Sequence, residues 1–200
     1  MLFDFGTNAQ LALHLMLHGK LLWLEAGDEP PKHCIARLEF PGITLALTDF
    51  QKAAHFTLNP EPAKAADALS DTLSAAWLKA QLTGSRATIK AVLMDQKRIA
   101  GIGNAYADEI LWAARIAPGS IAGKIPGAAI THLAKAIKQV LKNAEKQILK
   151  QQPEAISGEA RDFMKVHNSH KKNSPSGAAI LKTTLGSRST YYTDEQVLYT

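Results

Sequence analysis

At Asn59–Lys64 the chain runs NPEPAK, and across this segment its hydrophobic period changes from that of strands to that of helices. Two prolines so close together end any ladder or helix, because each fixes φ and removes a backbone donor. Upstream, CIARLEF sets Ile35, Arg37 and Glu39 against Ala36, Leu38 and Phe40. Pro41-Gly42 follows, then ITLALTDF, so residues 34–50 read as a hairpin in a half-buried sheet. The leucine-rich AQLALHLMLHGKLLWLEA, broken at His18–Lys20, reads as another hairpin. Downstream the spacing is helical. DTLSAAWLKAQL, with Asp71 as N-cap, brings Leu73, Trp77 and Leu78 near one face. Residues 85–95 read as a second helix and NAYADEILWAARI as a third, stopped by Pro118-Gly119. In the long fourth helix Ile130, Leu133, Ile137, Val140, Leu141, Ala144 and Ile148 form the apolar stripe, and Lys135, Lys138, Lys142 and Lys146 form a solvated face. Strands followed by helices predict an α+β fold. Near the C-terminus, β-formers flank Gly186-Ser187-Arg188, which predicts a small hairpin with Arg188 at its tip.

The first hundred residues carry ten basic and ten acidic side chains, the second hundred thirteen and eight. The whole excess of +5 thus lies in the helical and C-terminal half, and a polyanionic partner follows from that placement. No apolar run reaches the roughly 18–20 residues that cross a bilayer, and the start MLFDFGTNAQ has no signal-peptide pattern, so no membrane partner is expected. A single cysteine, Cys34, excludes an internal disulfide and a cysteine-rich zinc site, and a reducing cytoplasm is the expected setting. Walker, H-E-x-x-H and G-x-S-x-G sequences are absent, so nothing points to nucleotide or metal enzymology.

Gly101-Ile102-Gly103-Asn104 carries the chemistry. Glycines allow close backbone approach, and a helix opening at Asn104, read as its N-cap, would aim free N–H groups and a partial positive charge at a phosphate. With no third glycine and a helix before it, the pattern is not a dinucleotide fingerprint.

The surrounding segment, Leu93–Asp95 with Gln96, Ala100–Asn104 and Tyr106–Glu109, resembles the helix–two-turn–helix region of the formamidopyrimidine-DNA glycosylase and endonuclease VIII family of base-excision repair proteins. The resemblance implies a DNA phosphate held at Gly103 and Asn104, with Lys90, which matches a family lysine in the preceding helix, as a further phosphate-binding residue. HLMLHGKL, residues 14–21, is similar to the family turn carrying a void-filling side chain, which would be Leu17. LTDFQKAAHF, residues 47–56, is similar to the loop that supplies two further wedges, with Lys52 in place of arginine and Ala53 in place of an aromatic. GSRSTYYTDEQ, residues 186–196, resembles the end of the family zinc finger, with Arg188 at the phosphate-gripping tip. The zinc positions fall on Asn173, Ser176, Thr193 and Gln196, which make no thiolate site. A zincless hairpin is expected instead, held by packing of Leu185, Tyr191 and Tyr192 and yielding no zinc on metal analysis. No cofactor is expected.

The resemblance implies three parts: residues 1–60 a partial antiparallel β-sandwich, 61–155 a helix–two-turn–helix bundle, and 156–200 a loop and zincless hairpin. The family's N-terminal proline nucleophile and its glutamate have no counterpart in the opening Met-Leu-Phe-Asp. A start in mid-strand favours an N-terminally shortened chain, and a homodimer would complete the half sandwich. The expected function is nucleoid-associated binding of damaged duplex DNA by a relative of DNA glycosylase/AP lyases, which are hydrolases and lyases acting on oxidised bases or abasic sites. A non-catalytic duplex-binding module is the alternative, and an RNA- or protein-binding scaffold a third.

Overall fold

The structure, a computed structural model, describes residues 1–6, 9–61, 65–153, 156 and 160–200. Both expected boundaries, after residue 60 and after residue 155, border segments outside the described residues. Among the described residues the fold is mixed, with small sheets, mostly antiparallel, and four α-helices. The chain divides into two compact units: residues 1–62 with 152–159, and residues 63–151 with 160–200.

In the first unit, β1 (Leu2–Asp4), β2 (Gln10–His14) and β6 (His55–Leu58) form one antiparallel sheet in the order β1-β2-β6. A second antiparallel sheet, in the order β3-β5-β4, contains β3 (Lys20–Glu25), β4 (Cys34–Phe40) and β5 (Ile43–Thr48). The β4–β5 hairpin forms as its alternation predicts, in register Leu38↔Leu45 and Phe40↔Ile43. The other expected hairpin does not form. β2 pairs with β1 and β6 while β3 pairs with β5, so residues 15–19 carry the chain from one sheet to the other. The physical reason is a tight turn closed by the Gly19 N–H on the Leu15 carbonyl at 2.8 Å. A Cβ at Gly19 would run into that carbonyl and into Ala54. Long-range pairing also buries more apolar surface than the local alternative: Leu13, Leu21, Leu45, Leu47 and Ala54 make one buried cluster, joined by Phe3, Leu15, Ile35 and Phe56. Each leucine so buried contributes about 2 kcal/mol.

The second unit contains β7 (Ala66–Asp67), α1 (Ala75–Leu82), α2 (Ile89–Leu93), β8 (Ile99–Ala100), α3 (Asn104–Ala113), α4 (Gly127–Gln151) and the hairpin β9 (Leu181–Leu185)–β10 (Arg188–Tyr192). Its core gathers Leu78 and Leu82 of α1, Ile89 and Leu93 of α2, Ile110 and Leu111 of α3, and Leu133 and Ile137 of α4. Asp71 does not cap α1; Ser74 does, accepting the Trp77 N–H at 3.2 Å. Turns closed at Ser70 and Thr72 carry the chain past Asp71 and leave Ser74 in the extended conformation a cap needs. α2 is shorter than residues 85–95 and is capped by Thr88. The preceding carbonyls of Ser85 and Ala87 accept the N–H groups of Gly123 and Ala122, so this stretch pairs sideways instead of coiling. On α4, Ile130, Leu133, Ile137 and Ala144 are buried while Lys135, Lys142 and Lys146 are exposed, as the stripe predicts.

Candidate nucleic-acid interface

The turn between β8 and α3 is stapled by one side chain. Gln96 Nε2 donates to the Ile102 carbonyl at 2.8 Å, and its Oε1 accepts the Gly101 N–H at 3.1 Å. Ile102 plugs the core beneath. Gly101 stands at φ +93°, where only glycine is unstrained. The N-cap of α3 is Gly103, not Asn104, which is the first helical residue. Gly103 has extended φ −98° and ψ 179°, and a Cβ built on it would meet nothing. Gly103 offers no side chain to cap α3, so the helix opens on the backbone amides that follow it. The positive end of the helix dipole lies at an open, uncrowded backbone.

Asn104 Nδ2 donates to the Ser189 carbonyl at 3.1 Å, so one amide hydrogen is committed to β10. Two acids follow on the buried side of α3. Asp108 and Glu109 are 0% and 5% exposed, which demands partners. Asp108 Oδ1 pairs with Lys90 Nζ at 2.7 Å, while Oδ2 meets His167 Nδ1 at 2.7 Å and accepts the Tyr191 N–H at 2.9 Å. Lys90 Nζ also donates to Thr190 Oγ1 at 2.8 Å and the Ser189 carbonyl at 3.2 Å. Burial pushes the Lys90 ammonium below its ordinary pKa, Asp108 opposes that, and Arg188 adds to it. Glu109 accepts the N–H groups of Lys165, Val166 and His167 at 2.9, 2.7 and 2.8 Å. Lys90, expected from the resemblance to bind a DNA phosphate, is 2% exposed with its charge enclosed, and it ties α2 to α3 and to the hairpin. Sequence reasoning passed over Asp108, Glu109 and His167. Their one signal was a pair of acids inside the apolar run Ala107–Leu111 of a helix.

Arg188 is exposed and opens β10 directly after Gly186 and Ser187, both at positive φ (55° and 61°), the signature of a tight two-residue hairpin turn. It reaches a shallow groove of about 240 Å³ lined also by Thr88, Lys90, Met94 and Leu185. Packing and polar bonds both hold the hairpin. Tyr191 is buried edge-on against His167, Leu185 and Tyr192 are half-buried, and Lys90, Asn104 and Asp108 add polar bonds to the strand.

Of the four positions aligned with zinc ligands, Thr193 and Gln196 bond each other, and Asn173 and Ser176 bond other neighbours. Asn173 Nδ2 donates to the Gly177 carbonyl (2.8 Å) and Ser176 Oγ to Glu195 (2.7 Å). The Thr193 N–H donates to Gln196 Oε1 (2.8 Å), and Gln196 Nε2 to the Ile116 carbonyl (2.7 Å). With no thiolate or imidazole among them, these side chains do not fit zinc. Among the described residues no three metal-ligating side chains cluster.

In the first unit, Leu17 is 81% exposed on the turn between β2 and β3, beside exposed Met16. Lys52, at φ 56°, is exposed on the loop after β5. Asp49, itself buried, shapes that loop by accepting the N–H groups of Gln51 (2.9 Å), Ala53 (2.8 Å) and Ala54 (2.8 Å). Ala53 lacks bulk, but Phe50 of the same loop is 57% exposed and packs on the His18 ring, 4.7 Å between centroids, which brings an aromatic to the turn that carries Leu17. The bond from Ala54, with those from Gln51 and Ala53, holds the Asp49 carboxyl below the usual carboxylate range against its burial. A depressed acid stabilises above its unfolded pKa and loses that contribution as pH falls through the native value. The loop amides of Gln51, Ala53 and Ala54 are therefore expected to stay protected from exchange through mildly acidic pH and lose protection only below the usual carboxylate range; loss near neutral pH would contradict this.

A model of the formamidopyrimidine-DNA glycosylase H2TH domain matches residues 64–157. A formamidopyrimidine-DNA glycosylase of Sphingopyxis alaskensis is 32% identical over 212 residues, which covers 91% of this chain and 72% of that protein. One from Carboxydothermus hydrogenoformans is 36% identical over 146 residues, 70% of this chain and 53% of the relative, so the match spans about half of that relative's length. In three dimensions the chain is similar to Lactococcus lactis Fpg in complex with DNA containing an abasic site, with a TM-score of 0.83 at 23% identity over 98% of this chain and 78% of the other.

Proposed function

The chain belongs to the formamidopyrimidine-DNA glycosylase family, and from that premise we propose that it grips duplex DNA carrying an oxidised base or an abasic site, in base-excision repair. One observation carries the reading: the strand that opens at Arg188 is bolted to the first residue of α3, at its open N-terminus, and to α2 beside it. Asn104 and Lys90 both donate to the carbonyl of Ser189, the neighbour of Arg188. Two phosphate-binding elements, backbone amides at Gly103–Asn104 and a guanidinium at Arg188, are thereby held in fixed relation. Lys90 serves by position, setting that spacing.

In the first unit Leu17 is the wedge that fills the space left by an extruded nucleotide. Phe50 adds the aromatic surface absent at Ala53, and Lys52 supplies charge. The two sheets form a partial sandwich. Trp23, Phe40 and Ile43 lie on one face of β3-β5-β4 and are 49%, 40% and 37% exposed, and a second copy would cover them. Sedimentation equilibrium tests this dimer, and a monomer at all concentrations would rule it out. No described helix is long and apolar enough to cross a membrane. Association with the nucleoid follows from the DNA reading. The parts assigned are the sandwich at 1–60, the helix–two-turn–helix bundle at 61–155, and the loop with its zincless hairpin at 156–200.

Fluorescence anisotropy with an abasic-site duplex is the direct test. Arg188→Ala is expected to weaken binding about 10-fold and to lower the salt slope by about 1, as for one lost phosphate contact. Equal affinity and slope would remove Arg188 from the interface. Borohydride trapping on the same duplex separates lyase action from binding alone. A covalent adduct through an amine of this chain, Lys20 and Lys52 among the candidates, marks an AP lyase; tight binding without adduct marks the non-catalytic module.

A further inference from the structure

We propose that Glu195 and Arg115 form a metal-free clasp that positions the β9–β10 hairpin, doing by a carboxylate–guanidinium node what a bound metal does in a zinc finger. Glu195 Oε2 receives Ser176 Oγ at 2.7 Å, Arg115 Nη1 at 2.9 Å and Thr193 Oγ1 at 3.3 Å. Three chain segments thus meet on one oxygen: the loop before β9, the exit of β10, and the turn after α3. Ser174 Oγ bonds Ser176 Oγ at 2.8 Å and extends the node. Gln196 seconds it, its amide bridging the Thr193 N–H and the Ile116 carbonyl.

The backbone around the node is built to hold Arg115 there. Arg115 sits at φ 59°, where an L side chain rarely rests, so its surroundings must over-determine it. They do: its carbonyl accepts the Val197 N–H at 2.9 Å, and the Ala117 N–H donates to the Val197 carbonyl at 2.8 Å. The strained residue is pinned on the segment that leaves the hairpin, and its guanidinium is aimed at Glu195. Ser176 and Arg115 keep the Glu195 carboxyl below its usual pKa, so the node stays charged. Arg115 and Glu195 are therefore positioning residues for Arg188, and the ion pair, half in solvent, weakens with salt and is indifferent to chelators.

The test uses the full chain and two readouts; only the second rests on the DNA-binding reading. Glu195→Gln keeps the shape and removes the charge. It is expected to speed amide exchange at Thr190–Tyr192 about 10-fold while α3 stays protected. Affinity for an abasic-site duplex should fall about 5-fold, with Glu195→Asp intermediate. Ser176→Ala, a milder lesion, should move the same amides if Glu195→Gln folds poorly. EDTA should leave wild-type exchange unchanged. Hairpin exchange unaffected by both Glu195→Gln and Ser176→Ala, or accelerated by EDTA in the wild type, overturns the clasp. A wild-type chain that does not bind the duplex, but whose hairpin loosens on Glu195→Gln, would sink the DNA reading and leave the clasp standing.

Discussion

Replacing Lys90 by methionine is expected to destabilise the helical unit by about 3 kcal/mol, the cost of leaving a buried carboxylate without its cation. At about 2–4 °C per kcal/mol for a domain of this size, the melting temperature should drop by roughly 10 °C. The reasoning rests on enclosure. Lys90 is 2% exposed and Asp108 0%, so water cannot replace the ammonium that lies 2.7 Å from Oδ1. Two further bonds fail with it, those from Nζ to Thr190 Oγ1 and to the Ser189 carbonyl, while the Tyr191 N–H keeps its partner on Asp108. The double variant Lys90→Met with Asp108→Leu is expected to recover part of the loss, since it removes the stranded charge though not the Tyr191 partner. Differential scanning calorimetry on the three proteins checks this. An unchanged melting temperature in Lys90→Met would mean that the pair is worth nothing and that something else holds the hairpin.

The second large effect separates folding from binding. Gly103→Asp is expected to leave the melting temperature unchanged or slightly raised, yet weaken duplex binding about 100-fold. Aspartate is a favoured N-cap, Gly103 has ordinary extended backbone angles, and a Cβ there meets nothing, so the fold accommodates it. The same carboxylate would occupy the amides offered to a phosphate and repel the phosphate itself. Gly101→Ala should behave oppositely, losing about 1 kcal/mol of stability because φ +93° is forbidden to alanine. If Gly103→Asp binds DNA as well as the wild type, the N-terminus of α3 is not the phosphate site.

Fold legibility followed the range of each interaction. The β4–β5 hairpin was readable because Pro41-Gly42 and the flanking alternation lie within a few residues of one another, and Gly42 does take the positive φ, 83°, that the turn needs. The α4 stripe and the Gly186–Arg188 tip were readable on the same ground. The leucine-rich segment was misread as a hairpin because either pairing satisfies its pattern. The choice fell to Leu47, Phe56 and Ala54, which are distant in sequence. At the site, Gly101 and Gly103 stood out by type, and Arg188 by its turn. Asn104 was read as a cap because asparagine is a good one. The stapling of the turn by Gln96 moved the cap back to Gly103, where no side chain is needed.

The sequence by itself determined the period change at Asn59–Lys64, the helices with their faces, the two tight hairpins and the family pattern of Leu93–Glu109. Each of these is encoded by near neighbours, where backbone geometry and burial act on the same few residues. Only the tertiary structure decided where the charges went. Lys90 meets Thr190 across 100 positions, Asp108 meets Tyr191 across 83, and Gln196 reaches Ile116 across 80. A buried ion or amide is tolerable only beside its partner, and that partner is chosen when the chain closes, by a desolvation cost that no local pattern records.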